Sequence, residues 1–304
     1  MVLDIVRRSL GLKVSLLLAA ITLVTTALVG SFIIAQESRS LEELTLSKAK
    51  MSARVGAQGY GHLFDEGIDN NILSVQDVFD TKYEEIKGYN WNGKPKYHTK
   101  YDFYTDRVAV AFLDRFLEGD EVTAAIGSDI NGYIPTHNTR GMRPVTGEKE
   151  KDLVGNRAKA IGNYEVAKKA GSNEQPILVQ EYLRDTGERM WDVSSPIYVK
   201  GKHWGAFRMI ISVVEIDKRR NALIMTLGLL FFAFAVLSAG IIFVMIQRSI
   251  KPLVNLTNIA DDLSTGERLD EPIKPATIDE VGRMAKSLDR LRSSLKSAMA
   301  RLGE

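Results

Sequence analysis

The chain contains no cysteine. That excludes disulfides, thiolate metal sites, a cysteine nucleophile and a covalently attached c-type haem. It is also compatible with an oxidising outer compartment. Charge of one sign is lacking too: the formal net charge is only +2, and no basic tail or interleaving of basic and aromatic residues points to nucleic acid. No phosphate-binding glycine loop, nucleophile elbow or H-E-x-x-H motif is present, so neither an enzyme nor a metal site is expected. What two stretches lack altogether is charge. Val14–Gln36 and Asn221–Gln247 hold no ionisable side chain and are mostly Leu, Ile, Val, Phe and Ala. Each exceeds the roughly 20 apolar residues that cross a bilayer as a helix.

These runs divide the sequence into a tail at 1–13, a first membrane helix at 14–36, a large polar domain at 37–220, a second membrane helix at 221–247 and an inner piece at 248–304. The first run is longer than the ~7–15 apolar residues of a signal peptide and ends without a small-x-small cleavage site, which favours an uncleaved anchor. Arg7, Arg8 and Lys13 before the first run, with Arg248 and Lys251 after the second, favour both termini inside. Lys218, Arg219 and Arg220 abut the second run on the opposite side and count against that orientation.

Between the runs the pattern predicts helices at 37–67, 75–87 and 104–117, with a bend or close packing at Gly56, Gly59 and Gly61. A loop at 88–95 follows from its Gly, Asn and Pro content. Strands are expected at 122–130 and 133–138 around an Asp129–Gly132 turn, then a short helix at 152–161. Three strands at 177–184, 189–199 and 203–214 close the domain through tight turns. Helices first and an antiparallel sheet after is an α+β order. Beyond the second run, Pro252 is expected to open a helix that carries Leu253, Leu256, Ala260 and Leu263. After a connector with Gly266, Pro272 and Pro275, the residues Val281, Met284, Leu288, Leu291, Leu295, Ala298 and Leu302 step by threes and fours, a coiled-coil seam that calls for a partner helix.

Three segments, DINGYIPTHN (Asp129–Asn138), DLVGNRAK (Asp152–Lys159) and the run from Gln180 to Arg208, resemble the sensor region of a group of bacterial methyl-accepting chemotaxis proteins. The resemblance covers roughly Phe64–Ser212. It implies a single Cache-type, PAS-like domain outside the cytoplasm, with a long N-terminal helix and an antiparallel sheet that binds a small molecule. Tyr133, His137, Asn138, Arg157, Tyr182 and Arg184 are the candidate ligand-binding residues, because Arg forks onto carboxylates while Asn and Tyr fix orientation. Trp191 and Arg208 are further lining candidates. Arg184 and Arg208 have the alternative of being plain charges on the outer sheet face, and Trp191 and Trp204 of being core. No cofactor is expected, including non-covalent haem on His62, His98, His137 or His203.

The segment after the second run, with IDEVGRMAKSLDRL at Ile278–Leu291, resembles a HAMP domain, in which two chains form a parallel four-helix bundle below the membrane. The resemblance assigns Pro252 to the first helix, Glu280 to the Asp-Glu signature, Leu269 and Ile273 to connector packing, and Leu253, Leu256, Leu288, Leu291 and Leu295 to the bundle. The Gly266–Leu269 spacing is one residue longer than the common one. Taken together, the expectation is a homodimer of the bacterial inner membrane, paired through HAMP and membrane helices. It senses a small molecule outside and signals to an unidentified cytoplasmic partner. The sequence stops at Glu304, before the long signalling hairpin of chemoreceptors. A receptor truncated there, and an accessory membrane subunit with a degenerate sensor fold, remain the alternatives.

Overall fold

The computed structural model describes residues 9–88, 95–162 and 164–302. Arg7, Arg8 and most of the expected 88–95 loop lie outside the described residues. The chain divides into two compact units, Gln36–Ile224 and a second formed by Met1–Ala35 with Met225–Glu304.

The first unit is α+β. Helix α1 (Leu10–Asp69) enters it and buries Ala49, Ala53, Ala57, Tyr60 and Phe64, a three-and-four stripe on one helical face. After α2 (Val75–Val78), β1 (Glu84–Glu85), β2 (Tyr97–His98) and α3 (Asp102–Asp114) come β3 (Val122–Asp129) and β4 (Tyr133–Ile134). A short 3-10 turn at Thr139–Gly141, α4 (Lys149–Gly155), β5 (Ala160–Ile161) and α5 (Tyr164–Gly171) follow. Strands β6 (Leu178–Leu183), β7 (Arg189–Val199) and β8 (Lys202–Ser212) end the unit. The main sheet is antiparallel in the order β3-β8-β7-β6, which leaves β3 and β6 as edges.

Strand alternation gives this sheet two buried faces. Ala125, Val193, Phe207, Met209 and Ile211 pack against α1 and α3. Ala124, Ile126, Met190 and Ile210 face the other way and join Ile134 and Tyr182. The glycines of α1 are close-packing positions, and the helix runs on through them. A Cβ at Gly56 would lie 2.2 Å from the Phe207 ring, and one at Gly61 would lie 2.5 Å from the Tyr198 carbonyl oxygen.

Three expected elements differ. The helix at 75–87 stops at Val78 after one capped turn. Trp204 Nε1 donates to the Val78 carbonyl that a longer helix would offer to the Lys82 amide, that amide turns onto the Asp80 carboxylate instead, and the Tyr83 side chain is drawn to Asp129. The helix at 152–161 is displaced to Lys149–Gly155, because Ala160 and Ile161 pair with Ile134 and Tyr133. Only Tyr133–Ile134 of the expected 133–138 strand is extended in a ladder. Helix α5, which the pattern did not predict, buries Ala167 and Ala170.

In the second unit, the two apolar segments lie side by side: a Cβ at Gly30 would meet the Phe231 ring at 3.0 Å. Both are long and apolar enough to cross a membrane. Helix α6 (Val213–Ser264) continues through Pro252, which therefore lies inside a helix instead of opening one. Pro lacks an amide donor, so α6 forgoes one backbone hydrogen bond at that turn. Helix α7 (Glu280–Leu302) is capped by Asp279, whose Oδ1 accepts from the Val281 and Gly282 amides. The connector is pinned to α7: the Ile273 amide donates to Asp289 and Arg292 Nη1 donates to the Leu269 carbonyl.

Gly61→Ala is expected to destabilise the protein by about 1–3 kcal/mol, the usual cost of overpacking. The new methyl meets a backbone carbonyl that cannot rotate away, and this outweighs the better helix propensity of alanine. Chemical denaturation of wild type and variant measures the difference.

Candidate functional site

A cavity of about 670 Å³ opens on the sheet face opposite α1. Ala124 and Ile126 of β3 with Ile210 of β8 form an apolar floor, and Ile134 and Ile161 continue it through the β4–β5 pair. Tyr182 and Arg184, at the end of β6, supply one wall. Arg157 and Asn156, just after α4, supply another. Among the described residues, five cationic side chains (Lys96, Lys149, Arg157, Arg184 and Arg208) line the cavity against two carboxylates, Asp152 and Asp185.

The acids are occupied. Both Asp152 oxygens accept bonds inside their own loop, from Thr146 and Gly147. Asp185 accepts from Arg157 Nη2 at 2.7 Å. Arg157 Nε is buried with no acceptor. Arg184 is 10% exposed, and its carboxylate neighbour Glu188 is 3.7 Å away on the solvent side. Burial, then the nearby Arg157, holds the Arg184 guanidinium below its usual range, the signature of like charges crowded in a partly desolvated site.

His137, Arg157, Tyr182 and Arg184 are brought together in the cavity lining. His137 is buried, and its Nδ1 lies 2.8 Å from Asn138 Oδ1. A Cβ at Gly141 would overlap the imidazole, so the glycine makes room for the ring. Burial, partly offset by the Asn138 bonds, pushes the imidazole down to about 4. Tyr133 and Asn138 are not among the lining residues. Tyr133 neighbours Ile134 on a strand, so its side chain points to the opposite face, where its hydroxyl donates to Asp102 at 2.7 Å. Asn138 is wholly buried behind His137. Of the other residues considered, Trp191 packs on the α1 side of the sheet and Trp204 is core. Arg208 is 3% exposed, so it is not an outer-face charge.

Lys96 has no counterpart among the predicted site residues. Its Nζ donates to Asn156 Oδ1 and to the Asn156 and Ala158 carbonyls. Burial, then Arg157 and Lys159, lowers its amine to about 7. It follows a Gly- and Pro-rich loop, where no local pattern marks a lysine that reaches residues some sixty positions downstream. The turn at Asp129 braces the same region from behind. Oδ1 accepts the Asn131 and Tyr133 amides, while Oδ2 accepts the Tyr83 and Tyr101 hydroxyls. Among the described residues no group of three or more His, Cys, Asp or Glu side chains is placed to hold a metal ion.

In the second unit, Pro252 and Leu253 sit on α6 with Leu256, which is buried, whereas Leu253 is exposed. Leu269 and Ile273 are half-buried in the connector, and Glu280 is exposed at the start of α7, paired with Arg283. Along the seam Leu288 and Leu295 are half-buried, while Met284 and Leu291 are exposed.

Residues 244–297 match the family model of the HAMP domain. No curated protein matches the chain. Among solved structures, the chain is similar to the sensory domain of the Campylobacter jejuni chemoreceptor Tlp3 with isoleucine bound, at 14% identity and a TM-score of 0.29, over 62% of this chain and 65% of that one. It thus spans just under two thirds of that structure's length. It is also similar to the Tlp3 ligand-binding domain in complex with L-valine (13% identity, TM-score 0.28, 62% and 66% covered). A third likeness is to the extracellular domain of vpHK1S-Z8 (11% identity, TM-score 0.28, 62% of each chain).

The buried imidazole generates a pH test. Its folded value of about 4 lies below the ordinary 6.5. Between those values the unfolded chain binds the additional proton, so stability is lost as pH falls through that window. His137→Gln is expected to show a shallower fall in Tm between pH 6.5 and 4 than the wild type, measured by thermal melts across that range.

Proposed function

We propose that the chain is a homodimeric signal-transduction receptor of the bacterial inner membrane. Its sensor unit, outside the cytoplasm, binds a small organic anion in the cavity, and its HAMP domain relays the bound state to a separate cytoplasmic protein. The observation that carries this reading is covalent. Strand β8 contributes Arg208 and Ile210 to the cavity and ends at Ser212, and α6 begins at Val213 with no linker and enters the HAMP segment. A ligand that favours one position of β8 over another biases the helix that follows it, and only that difference in affinity does the work.

The cation excess supports an anionic ligand. Arg157 and Arg184 repel each other when the cavity is empty, and a carboxylate relieves this while forming charge-assisted hydrogen bonds. The apolar floor suits the carbon body of the same molecule.

Orientation is supported by a pairing that the sequence does not reveal. The basic cluster at the end of the sensor unit, which opposes a both-ends-inside topology, is largely compensated. Arg219 pairs with Glu121 at 2.9 Å, and Arg220 pairs with Glu42 at 2.9 Å and with Asp217 at 2.7 Å. Lys13 and the pair Arg248 and Lys251 then set the bias. Dimerisation is supported by the seam of α7, whose Met284 and Leu291 find no cover within one chain.

Two measurements test this reading. Succinate should raise the Tm of the full chain in detergent in a saturable way, whereas its uncharged analogue 1,4-butanediol should not. Arg184→Gln should weaken succinate by about tenfold, the equivalent of ~1.4 kcal/mol. A panel of organic acids that all leave Tm unchanged counts against a sensor and favours a bracing subunit. For the dimer, the absence of native cysteine permits single-cysteine cross-linking in membranes. Leu288→Cys and Leu295→Cys are expected to form disulfide dimers, and Lys286→Cys, on the far face of α7, is not.

A further inference from the structure

The cavity floor holds an ion pair of unusual geometry. Across the β7–β8 ladder Asp192 is opposite Ile210 and Ser194 is opposite Arg208, so these four residues share one sheet face. Arg208 Nε and Nη2 both converge on Asp192 Oδ2, at 2.9 and 2.5 Å. Asp192 is 0% and Arg208 3% exposed. A guanidinium and a carboxylate normally pair fork to fork, two nitrogens on two oxygens. In this pair one oxygen takes both bonds. Asp192 Oδ1 is buried with no partner, as is the hydroxyl of Ser194. Arg208 lines the cavity, and its Nη1 is the nitrogen that the pairing leaves over.

We propose that Arg208 anchors the anion in this cavity and that Asp192 is a built-in competitor that holds the affinity of the anchor down. This rests on the reading of the cavity as a ligand site. An incoming carboxylate does not displace Asp192, because an unpaired buried carboxylate is costly. It binds alongside, at Nη1, in the field of the Asp192 charge. The two anions then share one guanidinium, and the repulsion between them raises the ligand concentration needed for occupancy. Arg157, Arg184 and Lys96 supply attraction from the outer walls, but they sit on loops and on an edge strand. Among the described lining residues Arg208 is the one cationic side chain on the strand that leads into α6, five residues before Val213. Anchor and lever are thus the same element.

Burial lowers the Arg208 guanidinium, but the Asp192 charge and its hydrogen bonds together outweigh this and raise it, so it stays charged at any pH the protein meets.

The test uses the full chain in lipid nanodiscs and isothermal titration with succinate. Asp192→Asn removes the competing charge and keeps an acceptor. It is expected to bind succinate about tenfold more tightly than wild type. Arg208→Gln is expected to lose binding, and the double variant to bind no better than Arg208→Gln alone. Unchanged or weaker binding by Asp192→Asn, provided that the variant melts cooperatively in the absence of ligand, overturns the proposal. If Asp192→Asn does not fold, the wild type carries the test through its arginine side-chain resonances, with Arg208 assigned by Arg208→Lys. Succinate should shift the Arg208 Nε signal, and an unmoved signal overturns the proposal. Ile126→Trp, which fills the cavity from the floor, separates the two levels of the argument. If Ile126→Trp abolishes succinate binding while the Asp192 and Arg208 variants leave it unchanged, only the anchor falls. If succinate binds equally well to Ile126→Trp, or not at all to wild type, the anion-binding reading of the cavity falls with it.

Discussion

The α+β unit depends on how closely one helix approaches one sheet. Gly56 and Gly61 of α1 leave no room for a methyl group against Phe207 and the Tyr198 carbonyl, and Ala49, Ala53 and Ala57 continue the same narrow face. The reciprocal contact is equally tight: a Cβ at Gly127 of β3 would strike the Tyr60 ring. Over this seam Tyr60, Phe64, Tyr101, Trp204 and Phe207 form a chain of tilted and edge-on ring contacts. Such packing has little tolerance for volume change. It fixes the face of the sheet turned toward α1 and thereby frees the other face to carry a cavity.

That second face is polar where a core would be apolar. Asp192, Ser194 and Arg208 replace what would otherwise be more Val or Ile, and each has almost no exposure. Buried ionic groups of this kind seldom add net stability over apolar replacements. Their presence beside a cavity rich in cations fits the proposed function, in which the sheet gives up some cohesion to hold a charge where a ligand can meet it. The tyrosine hydroxyls around Asp129 show the opposite use of a buried carboxylate. Burial raises that acid, while four donors satisfy it.

Much of the architecture was legible in the sequence, and the turns were the reason. Strands β6, β7 and β8 are separated by strong turn signals at Asp185–Glu188 and Lys200–Gly201, so their limits were readable to within about two residues. The apolar runs needed no more than length and the absence of charge. Segments whose conformation is decided by distant partners were not legible. Val75–Lys87 has helical spacing, but Trp204 and Asp129, far along the chain, take its hydrogen-bonding groups. Helix α5 is short and is held by Ala167 and Ala170, residues that carry no signal of burial. The site divided in the same way. His137, Arg157, Tyr182 and Arg184 meet in one lining, whereas Tyr133 turns away through the simple alternation of β4. The role of Lys96 and the one-sided pairing of Arg208 with Asp192 exist only in three dimensions.

The position of β6 at the sheet edge has a consequence for how this protein can evolve. Tyr182, Leu183, Arg184 and Asp185 contribute to the cavity from a strand with one ladder neighbour and from the turn after it. Substitutions there meet one ladder neighbour instead of two, so under the proposed function ligand preference can drift while the fold stays intact. Arg208 and Asp192 lie on interior strands, each with two neighbours, and change there is coupled to the whole sheet. Under the proposed function, descendants of this chain should therefore diversify first in what they recognise, and only slowly in how recognition is passed along β8.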